Sequence, residues 1–367
     1  MASGKNKTLS KQDKIASFDF NGVGDSNAGL FGLPFDENDA EVVIIPVPWE
    51  VTVSYSAGTA EGPQAVKDAS PQLDLFDPEI RNAWQLGIWM EEISEEWQTT
   101  STQLRSQAEK YIDWLEDGSP ADTNTDYAKM LSVINKKGKE LADWLRTRSL
   151  NYLKKGKMVG LLGGDHSTPL GLMQALGEVH EEFGILHIDA HCDLREAYEG
   201  FEYSHASIMY NALKIPQLKK IVQVGIRDLA QSEAELAEQS NGRVAIFYDY
   251  FLKEGLNDGK SWKKMCKKIV AQLPQKVYIS FDIDGLDPKL CPGTGTPVPG
   301  GLEFDQALYL IKALVRSGRE IIAFDLVEVG PGESEWNGNV GARLLYKLCN
   351  WMAVSQKKLE APMLHAK

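Results

Sequence analysis

Apolar, β-branched runs recur along the chain at 41–48 (EVVIIPVP), 158–164 (MVGLLGG), 184–191 (GILHIDAH), 221–226 (IVQVGI), 243–248 (RVAIFY), 276–284 (KVYISFDID) and 320–329 (EIIAFDLVEV). Runs that are apolar throughout, rather than alternating with polar residues, suit strands buried on both faces. Helix-like stretches lie between them, at 169–183, 304–317 and about 127–155. Strand, helix, strand, repeated, predicts an α/β fold with a mostly parallel central sheet and right-handed crossovers.

Two stretches depart from this rhythm. Residues 1–40 are rich in Gly, Asn, Asp and Ser and show no regular apolar period. They are expected to form an N-terminal extension that lies over the surface or reaches a neighbouring subunit. Residues 91–126 are acidic and read as an insertion, a helix followed by a loop. Trp97 and Trp114 in that stretch, and Trp144 in the next helix, are expected in the core, where helical aromatics usually pack. No linker divides the remainder, so 41–357 reads as a single α/β domain and 358–367 as a C-terminal tail.

Composition narrows the class of protein. The 367 residues carry 52 acidic against 39 basic side chains, a formal net charge of −13, which repels phosphate backbones and argues against a nucleic-acid partner. No apolar run is long enough for a membrane span, and the polar N-terminus lacks the apolar core of a secretory signal, so a cytoplasmic protein is expected. Four cysteines without a CxxC pair argue against a disulfide framework or a zinc ribbon. An enzyme or a small-molecule binder remains.

The candidate chemistry gathers at strand ends. The first cluster, Gly163-Gly164-Asp165-His166-Ser167, follows an apolar run; alone it is also compatible with a plain strand-to-helix turn. The second is Asp189-Ala190-His191-Cys192-Asp193, where residues 189, 191 and 193 share a side if the backbone stays extended. The third is Asp282-Ile283-Asp284-Gly285-Leu286-Asp287, with the same spacing of two between Asp282 and Asp284. Each pair of carboxylates taken singly also fits a solvated turn. Together, four carboxylates with no Lys or Arg among them repel unless cations neutralise them. Two imidazoles and four carboxylates suit two divalent ions, manganese first, with nickel, cobalt or iron as alternatives. Cys192 is expected on the opposite face as a small core residue. Such a site, formally balanced or one unit negative, favours an amidinium or guanidinium over a phosphate ester.

These three motifs, in this order, resemble the signatures of the ureohydrolase (arginase/agmatinase) superfamily. Gly58-Thr59-Ala60-Glu61-Gly62-Pro63-Gln64-Ala65 resembles its G-T-x-x-G-P-x-A pattern, and Asp325-Leu326-Val327-Glu328 its substrate-binding D-x-x-E. The resemblance covers about 41–350. It implies a three-layer α/β/α arginase-like fold, a homo-oligomer and two manganese ions, with nickel as the alternative. One ion would be held by His166, Asp189, Asp193 and Asp282, the other by Asp189, His191, Asp282 and Asp284. It implies a metal-bridging hydroxide as nucleophile, attacking a guanidino carbon to release urea and an amine. Asp193 would pass a proton to the leaving nitrogen, Glu328 would orient the guanidinium, and His205 would be the proton shuttle, a task suited to an imidazole titrating near neutrality. His187 is expected to point away from Asp189 and His191 and to be structural, and His180 to lie on a helix surface. Asp165 and Asp287 are expected to shape turns or support the ligands.

The far end of the substrate is where the pattern departs from arginases. Leu194-Arg195-Glu196-Ala197-Tyr198 lacks the Asn and Ser pattern used there to hold an α-carboxylate. Arg195 would bind a carboxylate directly or pair with a neighbouring Glu; Asp228 would hold an amine or cap the next helix. Trp336 would close over a small cation or fill a subunit contact. An agmatine-like substrate is favoured. Free guanidine, arginine or another guanidino acid, and formiminoglutamate are the alternatives, and a non-catalytic metal-binding paralogue with a regulatory or assembly role is the reading of a different class.

Overall fold

A computed structural model describes residues 9–25, 28–118, 125–362 and 364. Strands β1 (Val42–Val47), β2 (Ile88–Met90), β3 (Met158–Gly163), β4 (Phe183–Ile188), β5 (Leu218–Ile226), β6 (Val244–Tyr248), β7 (Lys276–Asp282) and β8 (Glu320–Val327) form one parallel sheet. Their order is β2-β1-β3-β8-β7-β4-β5-β6. All seven apolar runs of the sequence supply strands. The sheet's short edge strand β2 has only three residues and was too brief to stand out.

Parallel strands need crossovers, and these clothe both faces of the sheet. Helices α3 (Glu95–Glu116), α4 (Thr125–Lys154) and α5 (Leu170–Val179) cover one face, where Leu104, Leu145 and Leu172 meet Val43, Ile45 and Leu161 of the strands. Helices α9 (Trp262–Val270), α10 (Phe304–Arg316) and α11 (Trp336–Ser355) cover the other, where Ile269, Leu310 and Leu345 meet Ile44, Ile279 and Leu326. The two apolar layers are the two faces of alternate strand residues, and the fold is a three-layer α/β/α sandwich. Trp97 of α3 lies edge-on to Trp49 at 5.9 Å and tilted against Trp144 of α4 at 5.8 Å. The acidic stretch after residue 91 is therefore built into the helical layer through its tryptophans.

The N-terminal extension departs from its sequence expectation. Leu30, Phe31, Leu33 and Phe35 are buried in the core, and the ring of Phe31 meets that of Tyr346 in α11 at 5.1 Å. A short segment that anchors through single large side chains needs no helical or strand period, so no periodicity announced it. His180 also differs. It caps the C-terminus of α5, outside the helix, and its Nδ1 lies 3.0 Å from Lys276 Nζ. No helix among the described residues is long and apolar enough to cross a membrane.

Candidate metal centre

Strands β3, β4, β7 and β8 are neighbours in the sheet, and their C-terminal ends carry the three motifs to one edge. Open parallel sheets bind ligands at that edge. At the end of β3 the chain turns sharply: Asp165 N–H donates to the Trp49 oxygen at 2.8 Å, and a Cβ at Gly164 would sit 2.0 Å from that oxygen. Asp165 Oδ1 accepts from Ser167 N–H at 2.8 Å and from its hydroxyl at 2.5 Å, the turn-forming role expected of it. Burial pushes the Asp165 carboxyl up to about 7.

The turn delivers His166 into a nest of carboxylates. Its Nδ1 lies 2.9 Å from Asp189 Oδ2, 3.1 Å from Asp193 Oδ2 and 3.2 Å from Asp282 Oδ2. On the other side of the ring Nε2 lies 2.9 Å from the Ser280 hydroxyl, which donates its only hydrogen to Asp325 Oδ2 at 2.8 Å. Ser280 therefore accepts from His166 Nε2–H, and Nδ1 faces the three oxygens. Burial disfavours a charged His166, but the three carboxylates outweigh it and raise its pKa well above the usual imidazole value. The geometry calls for a cation at this point, a proton or a metal. Neighbouring ligands of an octahedral ion with bonds of about 2.1 Å stand about 3.0 Å apart, which the observed separations match.

A second grouping adjoins the first. His191 Nδ1 lies 3.1 Å from Asp284 Oδ2 and 3.5 Å from Asp189 Oδ1. The carboxylate of Asp189 thus faces both groupings, one through each oxygen. Asp284 Oδ1 accepts from Ala190 N–H at 3.0 Å, and Asp282 Oδ1 from Asp284 N–H at 2.8 Å, so main-chain donors fix the remaining oxygens. Burial, followed by repulsion from neighbouring aspartates, pushes Asp193 up to about 6 and raises Asp282 well above the carboxylate range. The six sequence-predicted ligands come together, and their donor set fits two divalent ions sharing Asp189.

His187 is a correction. It does not point away from Asp189: its Nε2 lies 2.7 Å from Asp189 Oδ2, and its ring lies 5.1 Å from that of His166. A strand repeats every two residues, so 187 and 189 share a face. Asp325, the first residue of the D-x-x-E motif, is buried beneath the cluster, where Oδ2 accepts from the Tyr278 and Ser280 hydroxyls and Oδ1 from Phe281 N–H. It supports His166 through Ser280.

Glu328 follows β8 with φ of 62°, and Asp193 closes the second motif with φ of 54°. Both are non-glycine residues in left-handed backbone. Glu328 Oε1 accepts from His166 N–H at 2.9 Å, while buried Oε2 has no partner among the described residues. Burial, then repulsion from Asp165, raises its pKa well above the carboxylate range.

A cavity of about 170 Å³ opens beside the cluster, lined by His191, Asp193, Arg195, His205, Asp228 and further residues of the same loops. Glu328 is set back from this wall, 5% exposed, with Gly295 packed against Oε2. Burial, then the positive charges of His191 and His166, pushes the His205 pKa down to about 3 in the metal-free protein. Arg195 stacks on the Tyr198 ring at 4.8 Å and lies 3.8 Å from Glu233 Oε2. Trp336 is 48% exposed at the start of α11, and its indole N–H donates to the Lys289 oxygen; it does not line the cavity. Sequence reasoning missed Tyr198, Glu233 and Thr296 as cavity residues, since Tyr198 and Thr296 belong to loops without a period or motif of their own and Glu233 reads only as the capping residue in the first turn of a helix.

Residues 40–350 match the Arginase family. The chain is 32% identical over 329 residues to the N(1)-aminopropylagmatine ureohydrolase of Thermus thermophilus, covering 89% of this chain and 93% of that one. It is 27% identical over 336 residues to the agmatinase of Neisseria meningitidis, covering 89% and 94%. The structure of the agmatine ureohydrolase of Thermoplasma volcanium shares the fold with a TM-score of 0.66 at 22% identity, over 94% of this chain and 98% of that one. Fold, buried His/Asp cluster and relatives together define a metal-dependent hydrolase of carbon–nitrogen bonds. The chain belongs to the arginase family, on the agmatinase-like branch of the ureohydrolases.

Proposed function

We propose that this protein hydrolyses a guanidino compound whose far end carries an amine, releasing urea, with two divalent metal ions, manganese before nickel, held by His166, Asp189, His191, Asp193, Asp282 and Asp284. The observation that carries the amine is Asp228: its carboxylate lines the cavity and forms no side-chain hydrogen bond or ion pair among the described residues. A cationic amine of agmatine or N(1)-aminopropylagmatine would supply the missing partner.

The metals, when bound, supply an acidified water and polarisation of the reacting carbon's substituents. The protein's own groups do the rest. Glu328 Oε2, without a partner among the described residues, receives the guanidinium N–H groups and sets the orientation of the planar group. Asp193, lining the cavity beside the cluster, accepts a proton and returns it to the leaving nitrogen. His205, facing the cavity, relays protons between that nitrogen and solvent.

One feature supports a second reading. The Arg195 side chain makes no hydrogen bond among the described residues, standing 3.8 Å from Glu233 Oε2, while the Glu233 oxygens accept from the main-chain N–H groups of Leu194 and Ala230. A guanidino acid would place its carboxylate there. Product release by protein loaded with manganese or nickel decides between them, measured on agmatine, N(1)-aminopropylagmatine, 4-guanidinobutyrate, arginine, formiminoglutamate and free guanidine. Turnover of amine-tailed substrates that falls in Asp228→Asn supports the proposal. Preference for a carboxylate tail, lost in Arg195→Met, replaces it with the second reading.

A further inference from the structure

Beneath the ligand cluster lie two buried polar side chains outside the six proposed ligands: Gln223 on β5, and His187 on β4, which stands with His166, Asp189 and Asp193 in the first grouping. Their contacts fix the state of the imidazole step by step. Gln223 Nε2 lies 2.6 Å from the main-chain oxygen of Cys192, which only accepts, so that end of the amide is the NH2 group. The same nitrogen lies 2.9 Å from His187 Nδ1. One of its hydrogens goes to Cys192 and the other to His187, whose Nδ1 must then be the accepting nitrogen. A neutral ring with a bare Nδ1 carries its hydrogen on Nε2, and that hydrogen points at Asp189 Oδ2, 2.7 Å away. In this arrangement Gln223 Oε1 is buried without a partner among the described residues.

Asp189 is the carboxylate that faces both groupings. Its Oδ1 accepts from His191 N–H at 2.5 Å, so with His187 each oxygen has one fixed donor. Two donors, one per oxygen, lock the rotation of the carboxylate about its Cβ–Cγ bond and leave one lone-pair direction of each oxygen for an ion.

We propose that His187, held in one tautomer by Gln223, is a positioning residue that sets the plane of the Asp189 carboxylate so that it bridges two metal ions, and is not itself a ligand. This rests on the two-metal reading above. Its readouts are metal affinity and the magnetic coupling between the ions, which do not depend on any substrate.

The test titrates metal-stripped protein with Mn2+ calorimetrically and records the electron paramagnetic resonance of the loaded pair, with melting curves as a check on folding. The wild type is expected to bind two ions per chain with an exchange-coupled signal. His187→Leu should weaken binding about 10–100-fold and alter the coupling. His187→Gln, which offers an N–H near the position of Nε2, should recover most of both. Gln223→Leu leaves the imidazole in place but removes the donor to Nδ1, so the ring is no longer held in one tautomer; binding should weaken part of the way toward His187→Leu. If His187→Leu does not fold, Gln223→Leu decides alone. A coupled pair unchanged in folded His187→Leu or in Gln223→Leu overturns the inference, as does a His187→Gln protein that recovers nothing. A wild type that takes up no pair of ions overturns the two-metal reading and this inference with it.

Discussion

The main-chain N–H of His166 donates to Glu328 Oε1 at 2.9 Å, and the main-chain N–H of Glu328 donates to the Gly164 oxygen at 2.8 Å. A residue of the first motif and the last carboxylate of the chain's motifs therefore hold each other by reciprocal contacts across two neighbouring strands. One oxygen of Glu328 is spent on this clasp, and the other is free.

Glu328→Gln keeps the clasp through its amide oxygen but loses the charge. We expect kcat/KM to fall about 100-fold, in keeping with a charged hydrogen bond worth roughly 2–3 kcal/mol, with metal content unchanged. Steady-state kinetics and metal analysis on the same preparation check it; turnover within a few-fold of wild type would remove Glu328 from the orienting role.

His205→Ala should lower kcat by about 100-fold or more, the share of the rate that a positioned acid–base group supplies. Added imidazole should restore part of the rate. A variant as fast as the wild type would end the relay assignment.

Metal-stripped protein should lose stability as the pH rises from about 4 to 7. Asp165 and Asp193 have folded pKa values near 7 and 6, above their ordinary value of 3.8, so the folded state holds protons that the unfolded chain has released. Their contribution is complete below about pH 4 and gone above about pH 7. Loading with manganese should flatten the Asp193 part of the slope, since the ion takes over from the proton. Melting temperatures at pH 5 and 7, with and without metal, provide the comparison, and an upward slope in the stripped protein would contradict it.

Phe31→Ala should cost about 3–5 kcal/mol of stability while leaving kcat nearly unchanged, because Phe31 fills the core against Tyr346, away from the cluster. Chemical denaturation measures the first and urea release the second. A change below about 1 kcal/mol would show that residues 30–35 merely rest on the domain.

The sheet and the gathering of the clusters were legible because both depend on short-range rules. An unbroken apolar run marks a strand buried on two faces, and a carboxylate or imidazole just past its end lands at the sheet edge. The order of strands was not legible, since nothing local in β3 or β4 says that β8 and β7 lie between them. The support beneath the ligands was hidden for the same reason. Ser280, Asp325 and Tyr278 sit within apolar runs, and only pairing of β7 with β8 brings them together. His187 was within reach of sequence reasoning, because its spacing from Asp189 already put both on one face. Leu30–Gly32 and Leu33 offered no signal, because their burial depends on the surface they meet and on no pattern of their own.

The left-handed backbone at Asp193 and Glu328 has an evolutionary consequence. Glycine adopts this conformation more easily by roughly 1 kcal/mol, so at both positions the residue that serves chemistry is the one that the local fold disfavours. Selection for thermal endurance alone would replace them early, long before it touched the buried strands. In a population of descendants, glycine at either site would mark a lineage that kept the scaffold after its chemistry had lapsed. Continued presence of both acids would record that turnover was still under selection.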